Sequence, residues 1–550
     1  MNNLYESNDS KYTKFVNRNY GILVLVIKSV LIYLLLYIAD YLFSLYNTNY
    51  KWAGLSQINI GILFTIIAVL LFEKLWVRIV FLSLILSSML VEFIFYQYFG
   101  TFVQPIGFYQ IVFNARETAE VLSDEVHMMI IPMAIIGGIF FAIVILKNTI
   151  KVHSYRNTIF GFSLLVMLFS YSVYETYTNL HSKSGKLWHK QAKKLMPLPG
   201  IHSSENYLRA LNYFMIGILP KKLSSDGVKI FPTLQSPALK NISEDNNIIF
   251  IIGETLRAKQ LGILGYKLDT TPKLEKVDGL IVKSVYAAGT MTKVSVSALL
   301  NRVKYPGATA QMMKQDNNLF YLAKRNDYKT FFYSWQNNSQ LDILQSFIGR
   351  KYIDDYASRE TLKERIKNHS DYDDNLLKAL KGIDLGSGKN FIVLHERGSH
   401  ATYGKQYPKS FKKFKKTYDN TVLYTDSRIN EIIQYVKKQS RKPTYVIYTS
   451  DHGELLHEHG KNGHGWFFPE VYRVPFIAYV HNKSGTNILY KNIQTHFDVS
   501  NLVTSYLGYD IKIEEDKDIY VNGSDVDGLA GYLHITLDDN GTEISVKEIR

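Results

Sequence analysis

The chain has no cysteine in 550 residues. That excludes a disulfide framework, a cysteine-ligated metal site and a thiol nucleophile. It leaves the redox compartment open, because a chain without thiols fits anywhere. Charged residues are sparse at 20% and hydrophobic residues reach 47%, which excludes a disordered chain. No internal repeat or long low-complexity tract interrupts the sequence. The net charge is +14. At roughly 150 residues per domain, the length allows three to four domain-sized units.

A mean hydropathy of −0.07 averages two unlike halves. Residues 20–177 are densely apolar, and residues 178–550 are mixed. A helix needs about 20 mostly apolar residues to cross a bilayer. Five runs qualify: Gly21 to Leu45, Leu55 to Phe72, Ile79 to Tyr98, Met128 to Leu146 and Thr158 to Tyr177. Five such runs with short connections are too many for a soluble fold of buried helices. The first run is too long for a cleavable signal peptide and lacks a small-residue cleavage site, so it should remain as an anchor.

Basic residues set the expected orientation. Lys11, Lys14 and Arg18 precede the first run. Lys74 and Arg78 lie in the second loop, and Lys147, Lys151 and Arg156 in the fourth. The first loop has only Lys51. The third sets Arg116 against Glu117, Glu120, Asp124 and Glu125. This alternation places the N-terminus in the cytoplasm and the large C-terminal half outside. Lys28, Asp40, Glu92 and Glu175 fall within spans and are read as structural, with Lys28 able to snorkel toward the cytoplasm.

Residues 178–245 connect the halves. Lys183, Lys186, Lys190, Lys193 and Lys194 surround Leu187 and Trp188, a pattern that fits a helix on an anionic membrane surface or an ordinary solvated face. From Asn246 onward the pattern changes. NIIFIIG (247–253), FIVLH (391–395) and TYVIYTSDHG (444–453) are continuous apolar strands separated by helical stretches. They predict a parallel sheet covered on both faces, with ligands beyond the strands' carboxyl ends. Glu254, His395, Asp451 and His452 sit at those ends.

Six of the 15 histidines lie between positions 395 and 464. Without cysteine, oxygen and imidazole ligands are the strong route to zinc. Glu254, Asp451 and His452 offer two carboxylates and an imidazole, and Thr292, in GTMTKVSVS (289–297), could add a hydroxyl. A metal-bound threonine loses its proton more easily and becomes a usable nucleophile. His395, His400 and His464 are suited to bind phosphate oxygens or to protonate a leaving group. His457 and His459 are open to either a structural or a functional reading.

Five segments carry a family resemblance. They are IIGETLRAKQLGILGYKLDTTPKL (251–274), AGTMTKVSVSALL (288–300), LHERGSHATYGKQYP (394–408), YDNTVLYTDSRI (418–429) and SDHGELLHEHGKNGHG (450–465). In this order they resemble the motifs of bacterial phosphoethanolamine transferases, in the sulfatase-like branch of the alkaline phosphatase superfamily. The resemblance implies a membrane α-helical N-terminal domain with five transmembrane helices over residues 1–177 and a basic membrane-surface connection over 178–245. It implies an α/β alkaline phosphatase/sulfatase-like catalytic domain in the periplasm over 246–550. Glu254, Asp451 and His452 would be zinc ligands. Thr292 would be both fourth ligand and nucleophile, with Thr290 a lesser rival. His395, His400 and His464 would bind substrate phosphate or a second zinc. FNARETAEVL (113–122) resembles the family's head-group segment, with Asn114, Thr118 and Glu120 as candidates.

The sequence departs from the family at three places. Ala288 and Ser297-Ala298 stand where a cysteine pair usually flanks the nucleophile, so rigidity there must come from packing. Gly398-Ser399-His400-Ala401-Thr402 replaces the usual GSHGP. Lys293 follows the nucleophile, where it could stabilise a phosphoryl anion or simply be exposed.

The implied reaction moves phosphoethanolamine from phosphatidylethanolamine to lipid A or another part of lipopolysaccharide, through a covalent threonine intermediate. Core sugars, other glycans or a protein stay open as acceptors. Membrane lipids are expected partners, no nucleic acid is, and the chain is read as a monomer in the inner membrane. A lipid A product would reduce negative surface charge and favour polymyxin resistance. A phosphoglycerol transferase and an inactive membrane scaffold or sensor are the competing readings. A true sulfatase is disfavoured, because no C/S-x-P-x-R segment occurs.

Overall fold

The computed structural model describes residues 2–47, 60–99, 102–103, 107–108, 112, 129–146, 155–180, 202–220, 231–240, 245–341, 344, 347–483, 490, 492–513, 516–523 and 531–549. The chain divides into two compact units, Met1–Asp226 and Gly227–Arg550.

The first unit is helical. Its helices are α1 (Asn2–Tyr46), α2 (Ile60–Leu70), α3 (Leu75–Phe99), α4 (Ile130–Leu146), α5 (Tyr155–Leu180) and α6 (His202–Tyr213). All five apolar runs carry a helix, but the expected count of five spans needs correction. Among the described residues, three segments are long and apolar enough to cross a membrane: Ile22–Tyr46, Leu75–Gln97 and Tyr155–Tyr174. At 1.5 Å per residue, α2 covers only about 16 Å and α4 about 25 Å, short of a core about 30 Å thick. The basic segment at 181–201 and the candidates Asn114, Thr118 and Glu120 lie outside the described residues.

Ile32, Leu36, Phe43, Ile66, Leu86, Met89 and Phe93 form this unit's core, with Phe43 stacked on Phe93 at 4.2 Å. Leu23, Phe64, Trp76, Leu84, Phe141, Phe160 and Phe169 face outward, as lipid contact requires. Glu92 has a structural place. Its carboxylate accepts the Val103 amide at 2.8 Å and the Asn206 side-chain amide at 2.8 Å, which ties α6 to α3. Lys28 is buried.

The second unit is built on a seven-stranded sheet. Its strands are β1 (Asn247–Gly253), β2 (Ile281–Tyr286), β3 (Lys329–Ser334), β4 (Asp355–Ala357), β5 (Asn390–His395) and β6 (Thr444–Ser450). A small hairpin, β7 (Leu455–Leu456) and β8 (Asn462–Gly463), precedes the last strand, β9 (Arg473–His481). The order is β2-β9-β6-β1-β5-β3-β4. The five strands from β6 to β4 are parallel, as the apolar runs predict. The β9 strand runs antiparallel to both β6 and β2, so the sheet is mixed rather than purely parallel. Strands β10 (Asp518–Asn522), β11 (Tyr532–Leu537) and β12 (Glu543–Ile549) make a separate antiparallel sheet.

Alternation along β1 explains its unbroken hydrophobicity. Ile248, Phe250 and Ile252 pack with helices α7 (Thr292–Leu300) and α9 (His496–Tyr506). Ile249 and Ile251 pack on the other face with α8 (Thr417–Gln439). A strand between two helical layers has no solvent face on which to place polar residues. Register then positions the chemistry. Ile252 lies opposite His395 on one side and Thr449 on the other, and Gly253 opposite Ser450. The three central strands therefore end abreast, and Glu254 and Asp451 follow them at the same level.

Phe250 is fully buried in this core. Phe250→Ala should destabilise the second unit by about 3–5 kcal/mol. Thermal melting of the detergent-solubilised full chain should show a clear drop in the main transition, and an unchanged midpoint would contradict the packing described.

Candidate active site

A strained turn holds the two carboxylates. Thr255 follows Glu254 with φ 62, an uncommon conformation for a β-branched residue. Its amide donates to Asp451 Oδ1 at 2.8 Å, and its hydroxyl donates to Glu254 Oε1 at 2.8 Å. Its carbonyl accepts the Tyr418 hydroxyl at 2.7 Å, so the family-like helix segment, here the start of α8, braces the turn. Gly398, at φ 50, lies so close that a Cβ there would stand 2.8 Å from the Glu254 amide nitrogen and carbonyl oxygen. Only glycine allows that approach.

Asp451 Oδ1 also takes the His452 amide at 2.7 Å, whereas Oδ2 is buried and has no hydrogen-bond partner. Thr292 begins α7. Its Oγ1 lies 3.1 Å from Glu254 Oε1 and 3.2 Å from His452 Nε2. His452 Nε2 is 3.2 Å from Asp451 Oδ2 and 3.8 Å from Glu254 Oε1. His452 Nδ1 sits 2.8 Å from the Gly453 carbonyl, which can only accept, so Nδ1 carries the hydrogen and Nε2 presents a lone pair.

Burial holds His452 well below the usual histidine range, so no second ring proton is available. Burial first, and then the charge of Asp451, lift Glu254 well above the carboxylate range. Burial also raises Asp451 against the two amides that favour its charge. Three acceptors thus meet around one hydroxyl proton, with one ligand atom each from Glu254, Asp451 and His452 within 4.8 Å of one another. A divalent cation answers that deficit, and a mixed oxygen and imidazole set suits zinc.

The other histidines divide. His395 ends β5 fully buried, with Nδ1 3.0 Å from Ser334 Oγ and Nε2 unpartnered. Burial lowers its pKa to about 4. His464 packs against His452 with tilted rings whose centres are 4.4 Å apart, and its Nδ1 lies 3.5 Å from Glu454. His400 Nδ1 donates to the Ala401 carbonyl at 2.6 Å; burial chiefly lowers its pKa, and nearby His464 adds to this. His459 turns away, stacking on Phe468 at 4.1 Å beside Glu470. His457 occupies a left-handed turn position at φ 82. The Thr290 hydroxyl is buried without a partner.

Several supporting residues carry no motif. Gln336 donates to Glu254 Oε2 at 3.2 Å from a loop 82 residues along the chain. His496 Nδ1 accepts the Ala288 amide at 3.2 Å, while its Nε2 donates to the Ser450 carbonyl at 3.0 Å. One neutral ring thus joins the Thr292 segment to the strand carrying Asp451. Asn522 takes the Thr290 amide at 3.0 Å and donates its side-chain amide to the Ala288 carbonyl at 2.9 Å. Hydrogen bonds and packing hold this segment where cysteines are absent.

With zinc as the probe, Asp451→Asn and Glu254→Gln should each weaken metal retention by more than about tenfold, by mass-spectrometric metal analysis of the purified full chain. Both carboxyl groups are raised in the folded state. The metal-free protein should therefore be most stable below their unfolded pKa and lose stability as pH rises through the folded values. Bound metal should remove that loss, and equal pH profiles with and without metal would contradict the site.

Residues 246–509 match the sulfatase family. The chain is 31% identical over 275 residues to the Kdo(2)-lipid A phosphoethanolamine 7''-transferase of Escherichia coli K12, covering 46% of each chain. It is 26% identical over 381 residues to the phosphoethanolamine transferase EptA of the same strain, covering 63% of this chain and 65% of that one. The chain thus spans about half to two thirds of the length of these curated relatives. The solved lipooligosaccharide phosphoethanolamine transferase A of Neisseria meningitidis aligns over 88% of this chain and 95% of its own, at 17% identity and a TM-score of 0.43. Over the matched residues the chain is similar to bacterial phosphoethanolamine transferases, and residues 246–509 carry the similarity to the sulfatase family.

Proposed function

We propose that the chain is a membrane-anchored enzyme that transfers phosphoethanolamine from phosphatidylethanolamine to lipid A or another part of lipopolysaccharide. The observation that carries this reading is the meeting of Thr292 Oγ1 with Glu254, Asp451 and His452 at the ends of β1 and β6. The activities of the two curated relatives support phosphoethanolamine as the transferred group rather than phosphoglycerol. The completeness of the cluster counts against an inactive scaffold.

Glu254, Asp451 and His452 would hold zinc, with Thr292 Oγ1 as fourth ligand. When bound, the ion lowers the pKa of the threonine hydroxyl and neutralises charge on phosphoryl oxygens. Thr292 Oγ1 attacks phosphorus, the bond from phosphorus to the diacylglycerol oxygen breaks, and phosphoethanolamine stays on the threonine. Ser334 Oγ accepts the Gln336 amide at 3.1 Å, so its own proton turns to His395 Nδ1. His395 then presents Nε2–H to a phosphoryl oxygen. In this reading His464, partly exposed beside His452, protonates the departing oxygen and His400 binds phosphate. Attack by the acceptor on the same phosphorus restores Thr292.

In this reading the apolar helices of residues 1–177 anchor the chain in the inner membrane, and the basic segment within residues 178–245 meets its surface. Residues 246–550 form the catalytic domain in the periplasm, and the enzyme acts as a monomer. The three helices of full membrane length support it. Asn114, Thr118 and Glu120 would take the ethanolamine head group, a carboxylate being the natural partner of its ammonium. The anchor contributes to rate by keeping the nucleophile at the surface where the lipid donor is concentrated.

Thr292→Ala should abolish the covalent adduct, seen by mass spectrometry of the intact protein after exposure to phosphatidylethanolamine, and lower transfer by at least about 10³-fold. Thr292→Ser should keep the adduct. Adduct formation in Thr292→Ala would refute the nucleophile assignment. In a bacterium lacking such transferases, expression should add one phosphoethanolamine unit to lipid A or core, located by mass spectrometry. If lipid A carries it, polymyxin tolerance should rise. Unmodified lipopolysaccharide would argue against the acceptor class.

A further inference from the structure

The loop that follows His400 is strongly cationic. Between Arg397 and Tyr418 the chain carries Lys405, Lys409, Lys412, Lys413, Lys415 and Lys416 and no acidic side chain. All six lysines are exposed. Among the described residues, none of them forms an ion pair within 4.0 Å. Asp419, the next acidic residue, is buried and takes the Tyr266 hydroxyl at 3.2 Å.

The loop is held in place rather than loosely tethered. Asn420 Oδ1, buried at the start of α8, accepts the amides of Lys413 at 2.8 Å and Phe414 at 2.7 Å. Its side-chain amide donates back to the Phe414 carbonyl at 2.9 Å. Phe411 packs edge-on against Tyr424 at 4.9 Å, and Tyr407 is buried. Aromatic side chains and one asparagine fix the backbone, and the lysines project outward. The near end is joined to the site, because the Tyr403 hydroxyl donates to Glu454 at 2.5 Å and Glu454 also faces His464.

Clustered cations on a fixed backbone create a field of several kT, which steers and retains anions. A zwitterionic phospholipid donor, with one phosphate and one ammonium, has no net charge to match six lysines. A glycolipid bearing several phosphates does.

We propose that Lys405–Lys416 is a docking ridge for the acceptor, a multiply phosphorylated glycolipid whose phosphates rest on these lysines while its reactive group reaches Thr292. This rests on the transfer reaction proposed above and adds the surface that selects its second substrate.

The test compares the full chain with the variant Lys412→Gln, Lys413→Gln, Lys415→Gln and Lys416→Gln, both in uncharged detergent micelles. The probes are bis-phosphorylated lipid A, chemically dephosphorylated lipid A and phosphatidylglycerol vesicles. The variant should melt at the wild-type temperature. It should bind phosphorylated lipid A about tenfold more weakly or worse, with a shallower salt dependence, and its acceptor KM should rise in proportion. The maximal rate at saturating acceptor and the yield of adduct from phosphatidylethanolamine should stay at wild-type levels. Three results would overturn the proposal: equal affinity of the two proteins for phosphorylated lipid A, equal wild-type affinity for its dephosphorylated form, or a loss confined to phosphatidylglycerol vesicles. Binding is read without turnover. Absence of any adduct in the wild type would therefore strike the transfer reaction while leaving the ridge to be judged separately.

Discussion

Two carboxyl groups and a neutral imidazole are buried together at the ends of β1 and β6, and this arrangement is costly without a cation. Glu254 and Asp451 each lose hydration, and each raises the cost of the other's charge. His452 cannot relieve them, because its one ring hydrogen is committed to the Gly453 carbonyl. The rest of the unit can be understood as what keeps these groups together. The sheet brings their strands level, the turn at Thr255 fixes their separation, and helices on both faces exclude water. Stability and chemistry are therefore linked at this point.

The bracing is distributed. Tyr418 comes from α8, Gln336 from the loop after β3, His496 from α9 and Asn522 from the end of β10. Each makes one or two ordinary hydrogen bonds, and together they immobilise the segments carrying Glu254 and Thr292. A chain without cysteine can achieve by this means the local order that covalent cross-links otherwise provide. The cost is dependence on folding of the whole unit, because the bracing residues are scattered from Gln336 to Asn522 in sequence.

The two units solve different solvent problems. In the first, apolar side chains such as Phe141, Phe160 and Phe169 point outward, while the buried Glu92 is satisfied by Val103 and Asn206. In the second, apolar side chains line two internal layers, and the exposed surface carries charge, concentrated between Lys405 and Lys416. One composition average hides both, which is why the mean hydropathy is so uninformative.

Local pattern alone was enough for the presence of apolar helices, though not for the number long enough to span, and for the three central strands and the polar residues that follow them. A run such as NIIFIIG has only one common use, a strand between two covered faces, and its end is where a parallel sheet offers polar groups to a ligand. Helix length was less legible, since apolar residues continue past the ends of α2 and α4. Only the tertiary structure decided the antiparallel placement of β9 and the strained turn at Thr255. It alone set the turning of His459 toward Phe468 and the roles of Gln336, His496 and Asn522. Except for the contact of His459 with Phe468, these depend on residues tens to hundreds of positions apart, and a side chain carries no local mark of the distant partner that folding will bring to it.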